Sequence, residues 1–135
     1  MPPGRLLVAL YQRLQRDLTV AEQAIHDRDI EGAHTNLVHA QEILDGLDLA
    51  LDREAWSEAE GLSQVYDFVR NELVRANVTK NATIVASCRR LIDPLVETWE
   101  EALTLSAVQV MPATAEVPAG ADLSAAAVPA MAGTT

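Results

Sequence analysis

The sequence has few basic residues. Nine arginines and a single lysine, Lys80, stand against twenty acidic residues, which gives a formal net charge of −10. The basic residues are scattered along the chain and form no cluster. Nucleic acids and anionic membrane surfaces are bound through groups of lysine and arginine that neutralise phosphates. The charge pattern therefore argues against a nucleic-acid partner and against binding to an acidic membrane.

Cysteine and long apolar runs are also scarce. Cys88 is the only cysteine, so the chain cannot form an internal disulfide and carries nothing that requires an oxidising compartment. No stretch approaches the roughly 20 uninterrupted apolar residues of a membrane-spanning helix. The N-terminal residues have one arginine and a short apolar run, but polar residues follow without the small-residue cleavage site of a signal peptide. We expect a cytoplasmic protein without membrane insertion.

The residue types needed for catalysis or metal binding do not form a recognisable group. His34 and His39 are five positions apart, which places them on different sides of a helix, whereas a helical metal pair needs a spacing of three or four. Cys88 lies on an apolar stripe, where a buried core residue is the ordinary use of a free cysteine. Glycine-rich phosphate loops are absent. We predict no catalytic, cofactor-binding or metal-binding residues and expect a binding protein rather than an enzyme.

The chain is rich in leucine, alanine and valine at helical spacing. Apolar residues make up 49% of the sequence and aromatic residues only 4%, a balance that favours helices packed on helices. Apolar residues recur at steps of three and four in four segments. They predict one helix over about 3–26, one over about 30–52, a third that ends near 77 and a fourth whose stripe runs from 84 to 102.

Polar residues and one proline predict how the helices begin and continue. Asp29 is expected to cap the second helix through its carboxylate. Ser57 and Glu60 have the spacing of a capping box for the third helix. Pro94 lies inside the fourth stripe, so we expect a kink there or a restart of the helix capped by Asp93.

The four stripes together predict one fold. Short connections between helices of similar length imply antiparallel neighbours. The predicted class is all-α, an antiparallel up-down four-helix bundle formed by residues 1–108. Residues 109–135 are rich in alanine and proline, carry little charge and show no period, which predicts a disordered, flexible tail.

Several short segments have a distinctive order and spacing. They are Pro3-Gly4-Arg5-Leu6-Leu7-Val8-Ala9-Leu10-Tyr11, Ala24-Ile25 with Asp29, Leu37 through Leu44, Leu51-Asp52, Val65-Tyr66-Asp67-Phe68-Val69, Leu73-Val74-Arg75-Ala76-Asn77, and Leu91 through Trp99. Taken together, they resemble the flagellar export chaperone family of the FliS type over about residues 3–105. Family members usually carry a longer N-terminal arm before the Pro-x-x-Leu-Leu start, so no role of such an arm is transferred to this chain.

The resemblance implies a function. A member of this family would bind the C-terminal segment of flagellin in the cytoplasm, prevent its premature polymerisation and deliver it to the flagellar export apparatus, without a cofactor. A component of the export gate is a further partner that the resemblance suggests. The sequence leaves two other interpretations open: a scaffold that associates with itself through its apolar surface, and a regulatory adaptor without a flagellin client.

Candidate partner-binding residues are apolar side chains in excess of one buried stripe per helix, together with neighbouring aromatic residues. Ile43, Ala50, Phe68, Val74 and Val78 fall outside the regular stripes. We predict a binding surface between the second and third helices. Its predicted contacts are Ile43, Leu47, Leu51, Tyr66, Val69, Leu73 and Asn77, with Tyr11 as an eighth candidate. The alternatives are that the leucines and Val69 are ordinary core, that Asn77 caps the third helix and that Tyr11 closes the end of the core.

Overall fold

The computed structural model describes the backbone of residues 3–52, 54 and 57–110, and the side chains of residues 4–52, 54 and 57–105. It contains four helices, α1 (Pro3–His26), α2 (Ile30–Leu49), α3 (Ala59–Thr79) and α4 (Ala82–Val110), and no strand in this described part. The predicted all-α class is confirmed. The predicted tail lies outside the described residues, apart from its first two, which continue α4. None of the described helices is both long and apolar enough to cross a membrane.

Local side-chain and backbone chemistry sets the helix ends. The Asp29 carboxylate accepts a hydrogen bond from the backbone N–H of Gly32 and caps α2, as the sequence predicts. The residue after α3, Lys80, is left-handed with φ of 50°, and its N–H donates to the carbonyl of Ala76. α2 ends at Leu49, three residues before the predicted end near 52.

The capping box predicted for α3 is wrong. Glu58, not Ser57, occupies the N-cap position, and its side chain makes no capping hydrogen bond. The hydroxyl of Ser57 instead donates to the carboxylate of Glu58 over 3.0 Å. Because α3 begins at Ala59 with Glu58 at its N-cap, Ser57 lies one residue too early for the spacing to Glu60 to form a capping box.

Pro94 lies within α4, which continues from Ala82 to Val110. The predicted restart at this proline, capped by Asp93, is therefore wrong. Asp93 accepts a hydrogen bond from Gln15 of α1 over 2.8 Å instead. Pro94 is exposed, so the backbone hydrogen bond that its ring removes is lost on the outer side of the helix, where water can take its place.

The helices form an up-down bundle. Each helix packs against the next, and α1 closes the bundle against α4. Hydrogen-bonded side-chain pairs are Gln12–Glu100, Gln15–Asp93 and Glu22–Arg89 between α1 and α4, and His34–Asn77, Asp45–Arg70 and Asp48–Ser63 between α2 and α3. In both sets the residue numbers rise on one helix as they fall on the other. The predicted antiparallel arrangement is confirmed.

The core consists of one apolar stripe from each helix. Its largest fully buried side chains are Tyr11, Leu14, Leu18, Leu37, Leu44, Leu47, Tyr66, Val69, Leu73, Val85, Ile92 and Val96. Full burial of a Val, Leu or Ile side chain stabilises a fold by about 1.5–3 kcal/mol. Packing of these stripes, rather than the helical propensity of any one segment, therefore holds the bundle together.

Candidate partner-binding surface

Most of the predicted contact residues lie in the core. The fully buried ones are Tyr11, Leu47, Tyr66, Val69 and Leu73, each at most 1% exposed. Ile43 and Leu51 are both 7% exposed, and Asn77 is half-buried. The leucines and Val69 are thus core residues in the structure, which is the alternative that the sequence left open for them. A partner could touch the buried side chains only if a helix moved.

Tyr11 and Tyr66 meet inside the bundle, where their hydroxyl groups are hydrogen-bonded. Their ring centroids are 6.4 Å apart, and the ring of Trp99 lies 5.9 Å from that of Tyr11. Burial raises the pKa of Tyr11 to about 12, and hydrogen bonds to Tyr66 and Trp99 offset part of this effect. The pKa of Tyr66 is also raised, first by burial and then by the charge on ionised Tyr11. These rings fill the core and do not face solvent.

Asn77 joins α2 to α3. Its Nδ2 lies 2.9 Å from Nδ1 of His34. Its side-chain and backbone oxygens accept hydrogen bonds from the ammonium group of Lys80 over 2.8 and 2.7 Å. The C-cap position of α3 belongs to Lys80, so Asn77 supports the end of the helix without being its cap.

Polar side chains tie α1 to both of its neighbours. The carboxylate of Asp17 is 2% exposed; it accepts a hydrogen bond from Arg13 over 3.1 Å and pairs with His39 of α2. On the other side of α1, Glu22 pairs with Arg89 of α4 over 3.1 Å. A buried carboxylate is costly unless it is paired and hydrogen-bonded. The position of α1 is therefore fixed by specific bonds as well as by packing.

The edge between α2 and α3, where the partner surface is predicted, is also crossed by polar bonds. Asp45 pairs with Arg70 over 2.6 Å. Ser63 donates to Asp48 over 2.5 Å. With the contact between His34 and Asn77, these bonds span most of the length of the two helices. The middle of this edge is closed and polar rather than an open apolar groove.

Large apolar side chains are exposed at other positions of the bundle. Those at least 39% exposed are Leu6, Val20, Ile30, Leu49, Phe68, Val74, Val78 and Leu91. The prediction that Phe68, Val74 and Val78 lie outside the core stripe is confirmed. Ile43 differs because it lies on the side of α2 that faces α1, one turn from His39, and is buried there.

Three of the exposed residues surround the polar contact at the far end of the α2/α3 edge. Ile30 lies one turn before His34, while Val74 and Val78 lie on either side of Asn77 in α3. Ile30 is 56% exposed and Val78 is 80% exposed. We call Ile30, Val74 and Val78 the terminal patch. Ile30 could not be predicted as an exposed residue because its position continues the core stripe of α2.

A second apolar surface follows the edge between α3 and α4. On α3, the bonds of Arg70 and Asn77 mark the side that faces α2, and helical geometry places Leu62, Val65 and Phe68 toward the other side. On α4, the bond of Arg89 marks the side that faces α1, and Leu91 and Leu95 lie toward the other side. We call Leu62, Val65, Phe68, Leu91 and Leu95 the α3/α4 seam.

The α3/α4 seam is loosely packed. Phe68 is 55% exposed and Leu91 is 45% exposed. Leu62, Val65 and Leu95 are partly buried and pack against the core. Among the four adjacent helix pairs, α3 and α4 contact each other least. The seam is therefore an apolar edge of the bundle that is left partly open.

The described residues offer no group of three His, Cys, Asp or Glu side chains that could hold a metal ion. Glu31 and His34 have the Glu-x-x-His spacing of bundle metal sites, which need such a pair on each of two helices. This chain contains only one pair with that spacing, and its His34 bonds to Asn77. Burial raises the pKa of the Cys88 thiol to about 12. The thiol therefore stays protonated near neutral pH, unlike a nucleophilic cysteine.

Comparison with known proteins places this bundle among flagellar proteins. The family model described as "Flagellar protein FliS" matches residues 1–106, which include α1, α2, α3 and most of α4. Two similar proteins are each named "Flagellar secretion chaperone FliS". The one from Bacillus subtilis (strain 168) is 29% identical over 101 residues, which cover 75% of each chain. The one from Salmonella typhimurium (strain LT2) is 28% identical over 101 residues, which cover 73% of this chain and 75% of the other.

Proposed function

The chain belongs to the FliS family of flagellar proteins, and on this basis we propose that it is a flagellar secretion chaperone. The observation that carries the proposal is the family match over residues 1–106, which span three helices and most of the fourth. The names of the two similar proteins support the same function. We further propose that its client is the C-terminal segment of flagellin, which it binds in the cytoplasm and delivers to the flagellar export apparatus, including a component of the export gate.

The physical role of such a chaperone is to cover an apolar segment until export. A filament subunit whose helical segment is left bare can associate through the surface that it later uses in the filament. A helical bundle can offer a substitute surface to an amphipathic segment, which folds as it binds. Ordering the segment costs about 2–5 kcal/mol, so the contact must be extensive. Exposed apolar residues on a bundle with a filled core are suited to this task.

We propose that the accessible contacts for the client include the terminal patch and the exposed part of the α3/α4 seam. Both surfaces adjoin α3, and a segment of about 40 helical residues would be roughly 60 Å long, enough to reach more than one face of the bundle. The eight residues predicted from the sequence remain proposed contacts. Of these, Asn77 is accessible without rearrangement because it is half-buried, whereas the buried members require a displaced helix.

Calorimetric titration tests this function. The full-length protein is titrated with a peptide of about 40 residues from the C-terminus of a flagellin of the same organism. We expect saturable one-to-one binding, a negative heat-capacity change from burial of apolar surface and a gain in helicity by circular dichroism. A folded bundle that does not bind the peptide contradicts the proposal. A stable dimer that does not bind it favours the scaffold interpretation instead.

A matched pair of variants locates the contact. Val74 is 39% exposed in the terminal patch and Val20 is 44% exposed on α1. We expect Val74→Asp to weaken peptide binding by about tenfold, because a carboxylate would have to be desolvated in the contact. Val20→Asp, the control, should bind like the unaltered protein. Equal affinities of the two variants would exclude the terminal patch as a contact for this client.

A further inference from the structure

The edge between α1 and α2 becomes apolar toward the start of α1. Asp17 and His39 pair across this edge and show which sides of the two helices face each other. Leu10 lies seven residues before Asp17, and Gly46 lies seven residues after His39. Seven residues make about two helical turns. Leu10 and Gly46 therefore lie on the facing sides of the two antiparallel helices and at about the same level.

The next turn adds further apolar residues. Leu6 of α1 and Ala50 at the end of α2 lie level with each other by the same geometry, about three turns from the polar pair. Leu49 lies beside Gly46 on the surface of α2, because residues three apart in a helix are neighbours. We call Leu6, Leu10, Gly46, Leu49 and Ala50 the α1/α2 notch.

The notch is open to solvent. Leu49 is 86% exposed, the highest value among the large apolar side chains of the described residues, and Leu6 is 53% exposed. A Cβ added to Gly46 would meet nothing within 4 Å, so the glycine leaves an unfilled space beside Leu49. Leu10 and Ala50 are half-buried and form the floor. An apolar surface of this kind is typical of a protein interaction site when charged residues border it.

The charged residues on this half of the bundle are mainly acidic. Its described residues are 3–14, 40–52, 54, 57–68 and 94–105, and its basic side chains are Arg5 and Arg13. Its acidic side chains are Glu42, Asp45, Asp48, Asp52, Glu54, Glu58, Glu60, Asp67, Glu97, Glu100 and Glu101. In residues 15–39 and 69–93, seven basic side chains balance seven acidic ones. The net negative charge of the described bundle is therefore concentrated on the half that contains the notch.

We propose that the α1/α2 notch binds an amphipathic helix of a partner protein, which places an apolar side chain over Gly46 and basic residues beside the surrounding carboxylates. The inference does not depend on the proposed function, because it rests on the shape and charge of this end of the bundle. Leu6 and Leu10 on one helix, and Gly46 and Ala50 on the other, are each four residues apart. They form two short rows between which a third helix can pack.

Charge decides between a basic partner and a second copy of the chain. A second copy would bring the same acidic half to the notch, and like charges across a contact repel each other. A basic helix has the opposite sign, so attraction steers its approach and weakens as the salt concentration rises. The notch shares no residue with the terminal patch or the α3/α4 seam. A partner in the notch therefore does not compete for those side chains.

A synthetic peptide and nuclear magnetic resonance test the proposal. The probe is a helical peptide of about 20 residues, roughly 30 Å long, with leucines along one face and lysines on both sides of them. It is titrated into the ¹⁵N-enriched, full-length protein. We expect saturable shifts of the amide signals of Leu6, Gly46 and Leu49, and none at Val74 or Val78. The same peptide with glutamate in place of each lysine should not bind.

A matched pair of glycine variants makes the test specific. Gly46→Gln fills the notch with an uncharged side chain and should weaken binding of the lysine peptide by about tenfold. Gly61→Gln is the control, because Gly61 is also an exposed helical glycine with open space around its Cβ position and lies on the same acidic half. It should bind like the unaltered protein. Both variants should keep the fold, since glutamine favours a helix more than glycine does.

Charge is tested at Glu42, which is exposed and lies one turn before Gly46. Glu42→Gln should weaken binding of the lysine peptide severalfold, and the difference from the unaltered protein should shrink as salt is added. Equal affinities of Gly46→Gln and Gly61→Gln would overturn the proposal, because they would show attraction to the acidic half without use of the notch. Shifts spread over that whole half, or equal binding of the glutamate peptide, would overturn it as well.

Discussion

The two sides of the bundle are held together differently. Around α1, a buried carboxylate, a pair of buried tyrosines and a cross-helix ion pair supplement the packed core. Between α3 and α4, the seam is apolar and partly open. Polar bonds have strict geometry and fix one arrangement, whereas apolar contacts are not directional. The α1 side therefore specifies the fold, and the α3/α4 side is free to accept another apolar surface.

Two neighbouring aromatic residues give the largest expected difference between these regions. Tyr66 is 1% exposed in the core and Phe68 is 55% exposed on the seam. Tyr66→Ala should lower the free energy of unfolding by about 3–5 kcal/mol, because it leaves a cavity and removes the hydrogen bond to Tyr11. Phe68→Ala should cost less than about 1 kcal/mol. Urea unfolding followed by circular dichroism measures both values, and similar midpoints for the two variants would refute the assignment of Tyr66 to the core.

Alkaline pH should weaken the α1 side selectively. The pKa of Tyr11 is about 12 in the folded protein and about 10 in an unfolded chain. Between these values the folded state binds more protons than the unfolded state, so stability falls as pH rises from about 10 to 12. The loss is on the order of 2–3 kcal/mol. Tyrosinate absorbance should therefore remain low in the folded protein at a pH of about 11.

The control for this pH effect is Tyr11→Phe. This variant should show a shallower decline of stability in the same pH range, because one of the two buried phenols no longer titrates. Stability is measured by urea unfolding at several pH values between about 8 and 11. An unchanged slope in Tyr11→Phe would show that this phenol is not the group that ionises with unfolding.

The Asp17 cluster tests the same region with a smaller effect. Asp17 is 2% exposed, whereas its partners Arg13 and His39 are 52% and 39% exposed. Asp17→Ala should destabilise the bundle by about 1–2 kcal/mol, less than for a fully buried ion pair because both partners can turn to water. Asp45→Ala removes an exposed pair with Arg70 and should cost less than about 0.5 kcal/mol. If the two variants lower the thermal midpoint equally, the burial of Asp17 does not increase the contribution of its ion pairs to stability.

Much of the fold could be predicted from the sequence because the information is local. The period of apolar residues located all four helices, and the carboxylate of Asp29 marked the start of α2. The predictions made from Ser57 and Pro94, a capping box and a helix restart, were wrong because the effects of these residues depend on their surroundings. Ser57 lies one residue before the N-cap of α3, and the ring of Pro94 lies on an exposed face where α4 can continue.

The candidate surface was harder to predict because exposure depends on how the helices are rotated against each other. Periodicity separated Phe68 and Val78 from the core stripe of α3. It could not show that Ile43 faces α1 or that polar pairs close the α2/α3 edge. Those features arise from contacts between residues far apart in the chain, which a single sequence does not reveal.

Glycine substitutions give the smallest predicted effects and compare the open seam with a crowded helix start. Gly61 lies in α3 beside the seam, and a Cβ added there would meet nothing within 4 Å. Gly61→Ala should stabilise the protein by about 0.5–1 kcal/mol, because alanine loses less backbone freedom in a helix.

Gly32 lies in the first turn of α2, where an added Cβ would collide with the carboxylate of Asp29 that caps the helix. Gly32→Ala should destabilise by about 1 kcal/mol through loss of this cap. Opposite shifts in the thermal midpoint are expected, and destabilisation by Gly61→Ala would mean that the space beside the seam is already filled in solution.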